Sequence, residues 1–360
     1  MRLGVAGMRR GLGFAKLLSA RKDCRVVAVC DRNIERARET AAAVRAEPFE
    51  DYDRFCEQPM DAVVIVTPPS THFECSMKAL AAGKHVLSEI PAVVDLDQAK
   101  QLAAKVEETG LKYMAAENVN YFPCIQEIHR LVRSGMIGDV VLAEGEYVHD
   151  CRSFLFNRDD GLGGGTDTVP SWRHSINPIQ YCTHELGPLL MILEDRIVSA
   201  VCLESNFPGE VSDRIVTQIA LFKTAAGRTI RELTAFKIAR QPEHHFFCLY
   251  GTKGSIETDR YQWYQNLKLY SETEAGQKGL IDVPTSIVHA GAPPEALAGG
   301  HGTSEYFLVD DFIRSIREDT TPPLDVYKAL DMTVPGICAA ESARLGGQIV
   351  RVPDYRKETK

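Results

Sequence analysis

A phenol and an imidazole three residues apart are the side chains of this sequence best suited to proton transfer. Tyr181 and His184 stand in the stretch Tyr-Cys-Thr-His, and on a helix that began at Tyr181 they would lie on one face. Histidine titrates near pH ~6.5, and the pKa of a tyrosine, about 10, falls beside a cation. We interpret the pair as a candidate general acid and base. The alternative is structural: Tyr181 packs under a sheet and His184 bonds a carbonyl.

Residue 90 raises the question of which group transfers the proton. Residues 83–91 read Gly-Lys-His-Val-Leu-Ser-Glu-Ile-Pro. The stretch resembles the GKHVLxEKP signature of the Gfo/Idh/MocA family, NAD(P)-dependent enzymes acting mostly on sugars and cyclitols, in which the lysine serves catalysis. Ile90 replaces that lysine here, and an aliphatic chain neither bonds a hydroxyl nor carries its proton. The acid–base group is therefore expected elsewhere in the chain.

A degenerate glycine loop and one acidic residue predict a dinucleotide site. Gly7 and Gly11 lie where a first strand meets a helix, and glycines there allow tight turning and close approach of a pyrophosphate. Asp31 ends the second strand, where a carboxylate bonds the adenosine ribose and repels a 2′-phosphate. This favours NAD over NADP, although Arg32 could accommodate a phosphate.

The stretch Thr-Pro-Pro-Ser-Thr-His from Thr67 to His72 ends a buried strand sharply and leaves polar groups at the carboxyl edge of the sheet. It also resembles the family pattern. We expect His72 to pack at a helix start rather than to act directly, and Pro91 to be a candidate cis residue beside the nicotinamide pocket. The predicted cofactor-binding residues are Gly7, Met8, Arg9, Arg10, Gly11, Asp31, Arg32, Thr67, Pro68, Ser70, His72, Glu89, Pro91 and Asn118.

The elements that must position these residues fall into two predicted domains. Over residues 1–118, short β-branched runs alternate with Ala-rich helical stretches, which predicts an α/β Rossmann domain with a doubly wound parallel sheet. One of its helices is predicted over residues 96–109, with Asp95 as the N-cap. Over residues 119–360, successive longer strands predict an α+β domain for substrate binding and oligomerisation, built on a large open antiparallel sheet. The glycine-rich segments 159–168 and 290–302 are predicted to be mobile loops over a site.

Composition excludes several classes of function. The net charge is −8 and no long basic tract occurs, so we expect no nucleic-acid partner. No apolar run approaches the roughly 20 residues that span a bilayer, and the chain starts directly with a strand, so we expect neither membrane insertion nor a signal peptide. The 10 cysteines lack paired metal-site spacing, which predicts reduced thiols in the cytoplasm and no metal site.

Several motifs beyond residue 116 resemble, in order, the NAD-dependent glycoside hydrolases of this superfamily, of the α-N-acetylgalactosaminidase type. They include Tyr-Val-His-Asp-Cys-Arg from Tyr147 and Tyr-Cys-Thr-His from Tyr181, where those enzymes use a YPTH motif near the sugar. Cys182 departs from that motif, and the segment between Arg152 and Trp172 reads differently, which leaves the sugar open. By this resemblance the catalytic residues are Tyr181, His184, Tyr147 and His149, and the substrate-binding residues are Arg152, Trp172, Arg173 and His301.

The resemblance implies a redox-neutral reaction. NAD would remove hydride from a ring carbon, C3, and the ketone would acidify the C2–H for removal by Tyr181 or another side chain. The C1 substituent would leave, water would add, and hydride would return. His184 would polarise the carbonyl or bond the enolate oxygen, while Tyr147, His149 and His301 would orient sugar hydroxyls or assist the leaving group.

Two other functions remain open at this point. One is a plain NAD(P)-dependent sugar or cyclitol dehydrogenase that uses Tyr181 and His184 in place of lysine. The other is a sugar sensor that kept the nucleotide site and lost catalysis. The family fold also implies a homo-oligomer, a dimer or tetramer, because the open face of an antiparallel sheet often packs against a second subunit.

Overall fold

A computed structural model describes residues 1–157, 169–206, 215–274 and 277–356. Its contacts divide the chain into two compact units. The first unit contains Met1–Asn118, Val288–Leu330 and the stretch from Tyr355, and the second contains Val119–Ile287 and Asp331–Asp354.

The first unit is a Rossmann domain, as predicted. Six parallel strands are ordered β3-β2-β1-β4-β5-β6, and every residue of β4 is buried because helices cover both faces of such a sheet. The strands are β1 Arg2–Ala6, β2 Arg25–Cys30, β3 Glu47–Phe49, β4 Ala62–Ile65, β5 His85–Ser88 and β6 Tyr113–Ala115. The helices are α1 Met8–Ala20, α2 Ile34–Val44, α3 Tyr52–Cys56, α4 Pro69–Ala81 and α5 Leu96–Thr109.

Side-chain caps set where these helices begin. Asp95 accepts a hydrogen bond from the Gln98 amide at 2.7 Å, as predicted for the start of α5. Asn33 caps α2 in the same way. In α4, Pro69 takes the first helical position, where its missing N–H costs no hydrogen bond.

Late segments of the chain complete the first unit, which differs from the single domain predicted for 119–360. They contribute a 3₁₀-helix, Pro294–Ala298, within the segment predicted to be a mobile loop, and then α9, Ser304–Arg317. The Arg21 guanidinium lies 2.7 Å from the Asp310 carboxylate in α9. The Ala115 amide, in β6, donates to the Leu324 carbonyl at 2.9 Å.

The second unit is built on a nine-stranded sheet ordered β16-β15-β14-β13-β7-β12-β11-β10-β17. The sheet is antiparallel, as predicted, except that β7 and β12 run parallel. Its strands are β7 Val140–Val148, β10 Ile197–Asn206, β11 Ile215–Thr224, β12 Thr229–Ala235, β13 His244–Gly251, β14 Gly254–Thr258, β15 Asn266–Ser271, β16 Ile281–Pro284 and β17 Val350–Arg351, and a separate pair is β8 Phe156–Asn157 with β9 Val169–Pro170. The helices are α6 Pro123–Arg133, α7 Trp172–Ser175, α8 Thr183–Leu193 and most of α10, Val326–Arg344.

One face of this sheet is packed and the other is open. Along β11, Ala220 and Phe222 are buried, whereas Ile219 and Leu221, which alternate with them, are exposed. This alternation with a period of two is what a strand with one covered face requires. The covered face carries the candidate catalytic residues.

One sequence expectation differs in the structure, and a second falls on residues that the structure does not describe. Tyr181 does not begin a helix: it ends a 3₁₀-helix, Pro178–Tyr181, and α8 starts at Thr183. The predicted mobile loop 159–168 lies outside the described residues. Among the helices that the structure does describe, none combines the length and the apolar character needed to cross a membrane.

Candidate active site

The glycine loop of the first unit fits a bound dinucleotide. Gly7 has φ +94°, and a Cβ atom there would lie 2.5 Å from the Val66 carbonyl oxygen, so only glycine fits this turn. At Gly11 a Cβ atom would lie 2.9 Å from a Val66 methyl group. Because α1 begins at Met8, immediately after Gly7, the predicted residues from Gly7 to Gly11 form the strand-to-helix turn and the first turn of α1, and a helix N-terminus is a place that favours a bound anion.

Asp31 lies at the end of β2 beside this turn. Its carboxylate accepts hydrogen bonds of 2.8 Å from the Met8 amide and 2.8 Å from the Asn33 amide. The Arg36 guanidinium is 3.5 Å away, and Arg32 is exposed. A carboxylate in this position is the group that receives the ribose hydroxyls of NAD.

His72 joins two segments of the predicted cofactor site. It is 1% exposed, and its ring nitrogens lie 2.7 Å from the Thr67 carbonyl oxygen and 2.9 Å from that of Pro91. Burial lowers the pKa of His72. The Ile90–Pro91 bond is cis, as expected, and Ile90 is 3% exposed. The neutral ring has one N–H, so His72 contacts both segments and donates a hydrogen bond to one of the two carbonyls. Pro68 and Ser70 are exposed.

An ion-pair network anchors Arg10. Its guanidinium lies 3.3 Å from the Glu89 carboxylate and 2.5 Å from the Glu305 carboxylate. His301, predicted to bind substrate, lies in the same unit and bonds Glu305 at 2.8 Å. Burial by itself raises the pKa of Glu305. The interactions with His301 and Arg10 outweigh burial and bring this pKa down to about 2.

The four predicted catalytic residues meet in the second unit, on the covered face of the sheet. The Tyr181 hydroxyl lies 3.2 Å from Nε2 of His184. The Tyr147 ring stacks on that of His149, with centroids 3.9 Å apart and planes within 11°. Tyr147 also contacts Tyr181 edge-on, with a centroid separation of 5.6 Å. We call these four residues the ring cluster.

Two further members of this site, His245 and Glu185, were not predicted from the sequence. Nδ1 of His245 lies 2.7 Å from a carboxylate oxygen of Glu185, which is fully buried. In the strand register His245 stands opposite Tyr147, and a Cβ atom at Gly145 would lie 2.7 Å from Cβ of Glu185. A carboxylate that accepts from Nδ1 fixes the tautomer of the imidazole and leaves Nε2 as its basic nitrogen.

The predicted substrate-binding residues of this unit have different surroundings. The Trp172 ring lies 5.0 Å from that of Tyr181, and the Arg173 guanidinium lies over Trp172 at 4.2 Å. Arg152 instead forms a bidentate ion pair with Asp150 on the exterior. Trp172 and Arg173 therefore adjoin the ring cluster, and Arg152 pairs locally.

Burial sets the protonation of two cluster members. It lowers the pKa of His149 to about 3, with the charges of His184 and Arg173 adding to the effect. It raises the pKa of Tyr147 well above its ordinary value, which Arg173 opposes. At neutral pH, His149 is therefore an uncharged acceptor and Tyr147 a protonated donor.

Comparison with known proteins matches two parts of the chain to family models. Residues 1–117 match the oxidoreductase family NAD-binding Rossmann fold, GFO_IDH_MocA. Residues 212–359 match the glycosyl hydrolase 109 C-terminal domain.

Relatives and solved structures of similar proteins cover almost the whole chain. A glycosyl hydrolase family 109 protein of Streptomyces niveus is 28% identical over 99% of this chain and 78% of its own. One from Phocaeicola vulgatus is 28% identical over 99% of this chain and 95% of its own. Levoglucosan dehydrogenase, solved in complex with NADH and levoglucosan, shares the fold with a TM-score of 0.79 and 20% identity, covering 98% of this chain and 100% of its own.

Proposed function

We propose that this chain, in which a Gfo/Idh/MocA NAD-binding domain is joined to a glycosyl hydrolase 109 C-terminal domain, is an NAD-dependent enzyme that cleaves glycosides without net oxidation. The hydrogen bond between Tyr181 and His184 within the ring cluster carries the proposal. It supplies a proton-transfer pair in a chain that has a buried isoleucine at position 90.

The first unit would hold the cofactor. The turn at Gly7 would receive the pyrophosphate, Asp31 the adenosine ribose, and the Thr67 and Pro91 segments the nicotinamide half. When bound there, NAD would supply reversible hydride transfer, and the ketone left on the sugar carbon would make the neighbouring C–H acidic.

The second unit would transfer the protons. Tyr181 removes the C2 proton, and His184 stabilises the phenolate through the 3.2 Å hydrogen bond. Tyr147, protonated, donates to the developing enolate oxygen. The uncharged His149 accepts a hydrogen bond from a sugar hydroxyl, and the Glu185–His245 pair gives or receives the proton at the glycosidic oxygen.

Isotope exchange during turnover tests the redox-neutral reaction. Purified protein with NAD is incubated with p-nitrophenyl N-acetyl-α-galactosaminide, then with other nitrophenyl glycosides, in D₂O. We expect nitrophenol release without accumulation of NADH, and deuterium at C2 of the released sugar. Formation of one NADH for each sugar consumed, with the glycosidic bond intact, would show a simple dehydrogenase instead.

Replacing Tyr181 isolates the proton-transfer step. Tyr181→Phe removes only the hydroxyl, so we expect a fall in kcat of about 10²-fold or more with bound NAD unchanged by fluorescence titration. Tyr270→Phe, on β15 of the same sheet, is the matched control and should retain activity. Adding Ile90→Lys to Tyr181→Phe should not restore turnover, and full activity of Tyr181→Phe would contradict the assignment.

We also propose that the protein is a cytoplasmic homo-oligomer. The exposed Leu203, Ile219 and Leu221 on the open face of the sheet support a contact with a second copy. All ten cysteines lie in the described part of the chain and have free thiols, which suits a reducing compartment.

A further inference from the structure

A buried carboxylate in the first unit holds a histidine in an uncommon backbone conformation. Glu305 is fully buried and accepts hydrogen bonds from the Gly300 amide at 2.9 Å and from Nδ1 of His301 at 2.8 Å. His301 has φ +52°, in the left-handed region that residues other than glycine seldom adopt. Such conformations persist where the surroundings fix them, and they cluster at functional sites. We call Glu305 and His301 the acid–imidazole pair.

The acid–imidazole pair lies against the helix that follows the glycine turn. A Cβ atom at Gly13, in α1, would lie 3.8 Å from the Gly300 amide nitrogen. Arg10, in the first turn of α1, reaches the Glu305 carboxylate at 2.5 Å. All of these residues belong to the first unit. The pair therefore stands beside the helix end at which a pyrophosphate is favoured.

The second contact of Arg10 indicates which half of a dinucleotide the pair adjoins. Its guanidinium also lies 3.3 Å from the carboxylate of Glu89, which follows β5. In the sheet, β5 and β2 lie on opposite sides of β1 and β4. Asp31, at the end of β2, is the residue expected at the adenosine ribose. Arg10 thus connects the acid–imidazole pair to the β5 side of the site, which is the side of the nicotinamide half.

The chemistry of the pair selects a hydroxyl group as its ligand. Burial raises the pKa of Glu305, but His301 and Arg10 bring it down to about 2, so the carboxylate is ionised at neutral pH. An ionised carboxylate accepts the Nδ1 proton of a neutral imidazole and leaves Nε2 as the acceptor nitrogen. Half of the His301 side chain is exposed, so a ligand can reach it. Ribose hydroxyls are donors that such a nitrogen can accept.

We propose that His301 binds the nicotinamide-side ribose of NAD by accepting a hydrogen bond from a ribose hydroxyl at Nε2, and that Glu305 is the positioning residue that fixes its tautomer. From the sequence, His301 was predicted to contact the substrate; here it contacts the cofactor instead. Only NAD binding is involved, so this role is independent of whether the chain cleaves glycosides.

Competition by the two halves of the cofactor tests the assignment without any sugar. Nicotinamide mononucleotide and AMP are each titrated against bound NADH, whose fluorescence reports displacement. Asparagine tolerates positive φ, so His301→Asn removes the imidazole and keeps the backbone. We expect this variant to bind the mononucleotide about 3- to 10-fold more weakly, the loss of one hydrogen bond, and AMP as before. Unchanged AMP binding also shows that the first unit is folded.

Two further variants serve as controls. Asp31→Asn should show the reverse pattern, with weaker AMP binding and unchanged mononucleotide binding, because Asp31 lies at the adenosine end of the site. His129→Asn, on α6 of the second unit, is the matched control for a lost histidine and should change neither affinity.

The positioning role of Glu305 is tested by Glu305→Gln. Glutamine keeps the size of the side chain but lacks its charge, so the tautomer of His301 is no longer fixed and mononucleotide binding should weaken. Loss of the imidazole then adds nothing, and the double variant with His301→Asn should bind the mononucleotide as Glu305→Gln does. Losses that multiply in the double variant would show that Glu305 does not act through His301.

Several results would overturn the assignment of His301. One is unchanged mononucleotide binding in a His301→Asn variant that still binds AMP. Weaker binding of AMP alone would place His301 at the adenosine ribose, and equal weakening of both nucleotides would place its effect on the glycine turn. Slower glycoside cleavage with both nucleotide affinities unchanged would place His301 at the sugar, and would leave the proposed glycosidase intact.

Discussion

Tyr147 has more ring neighbours than the other members of the ring cluster. It stacks on His149, lies parallel to His184 within 12°, and meets Tyr181, Phe236 and His245 edge-on. Such packing fixes the ring planes because edge-on and offset contacts are favoured between aromatic groups. The tyrosine hydroxyls and imidazole nitrogens of the cluster are therefore in position before a substrate binds. Such preorganisation favours efficient proton transfer.

The lowered pKa of His149 predicts sensitivity to acid. The unfolded chain protonates this histidine below pH ~6.5, whereas the folded chain does so only near about 3. The protein therefore has its full stability with respect to His149 above pH ~6.5 and loses stability as the pH falls toward 3. At pH ~5 we expect burial of neutral His149 to lower the free energy of unfolding by about 2 kcal/mol relative to pH ~7.5.

Urea denaturation of His149→Asn at both pH values measures this cost. The variant should lose less stability than the wild-type protein on acidification, by about 2 kcal/mol. The same loss in both proteins would show that His149 is protonated in the folded state as well.

Spacing in the sequence led to part of the candidate site. Tyr181 and His184 are close in the chain, and they meet although the local structure is a 3₁₀-helix followed by α8 rather than one helix. His245, on β13, and Glu185, on α8, are 60 residues apart and meet only because α8 packs on the sheet. A strand histidine has no local partner that marks it, so this pair could not be predicted without the packing of α8 on the sheet.

At the scale of elements, the junction of β1 and α1 is the most restricted turn of the first unit. Gly7 combines positive φ with close approach to the backbone of Val66. Gly83 also has positive φ, +75°, but a Cβ atom there would meet nothing within 4 Å. A side chain at Gly83 would therefore meet backbone strain alone, whereas one at Gly7 would meet both strain and a steric clash.

This pair predicts different effects of alanine. Gly83→Ala should cost about 1 kcal/mol, the strain of positive φ alone. Gly7→Ala adds a collision with the Val66 carbonyl and should cost more, with weakened NAD binding. Thermal unfolding with and without NAD measures both effects, and equal NAD affinity in the two variants would contradict the role of Gly7 in the cofactor site.

Elements with strong local signals were predicted well and a short one was not. Helix α5 has its predicted bounds because Asp95 caps it and Gly110 ends it in a left-handed conformation. Strand β3 is three residues at the sheet edge and includes Pro48. Proline lacks the amide hydrogen of a strand and is confined to such edges, so the sequence carries little sign of β3.

At the scale of the whole molecule, the open face of the second unit's sheet exposes apolar side chains that a partner could cover. Leu203 is 64% exposed and stands opposite Ile219, 46% exposed, in the pairing of β10 with β11. Leu221, one exposed position further along β11, extends the patch. A contiguous apolar surface of this kind favours association with a second copy.

A charge in this patch should dissociate the proposed oligomer. We expect Leu221→Lys to lower the molar mass measured by light scattering to that of one chain. Leu297→Lys, at a leucine that is 58% exposed in the first unit, is the control and should leave the mass unchanged. A wild-type protein that is monomeric at micromolar concentration would contradict the proposed oligomer.

The sequence did not predict that Val288–Leu330 belongs to the first unit. Arg21 and Asp310 are 289 residues apart, and neither residue stands in a motif that indicates the other. Arginine and aspartate residues are numerous along the chain, and only the folded structure shows which of them pair.

The anchoring of Arg10 by Glu305 has a consequence for biosynthesis. Chains fold as they emerge from the ribosome, N-terminal parts first. The turn at Gly7 is made early, but Glu305 and the Leu324 carbonyl that pairs with β6 emerge some 300 residues later. We expect the nascent Rossmann segment to lack these late contacts through most of translation. The cofactor would then bind only when synthesis is nearly finished.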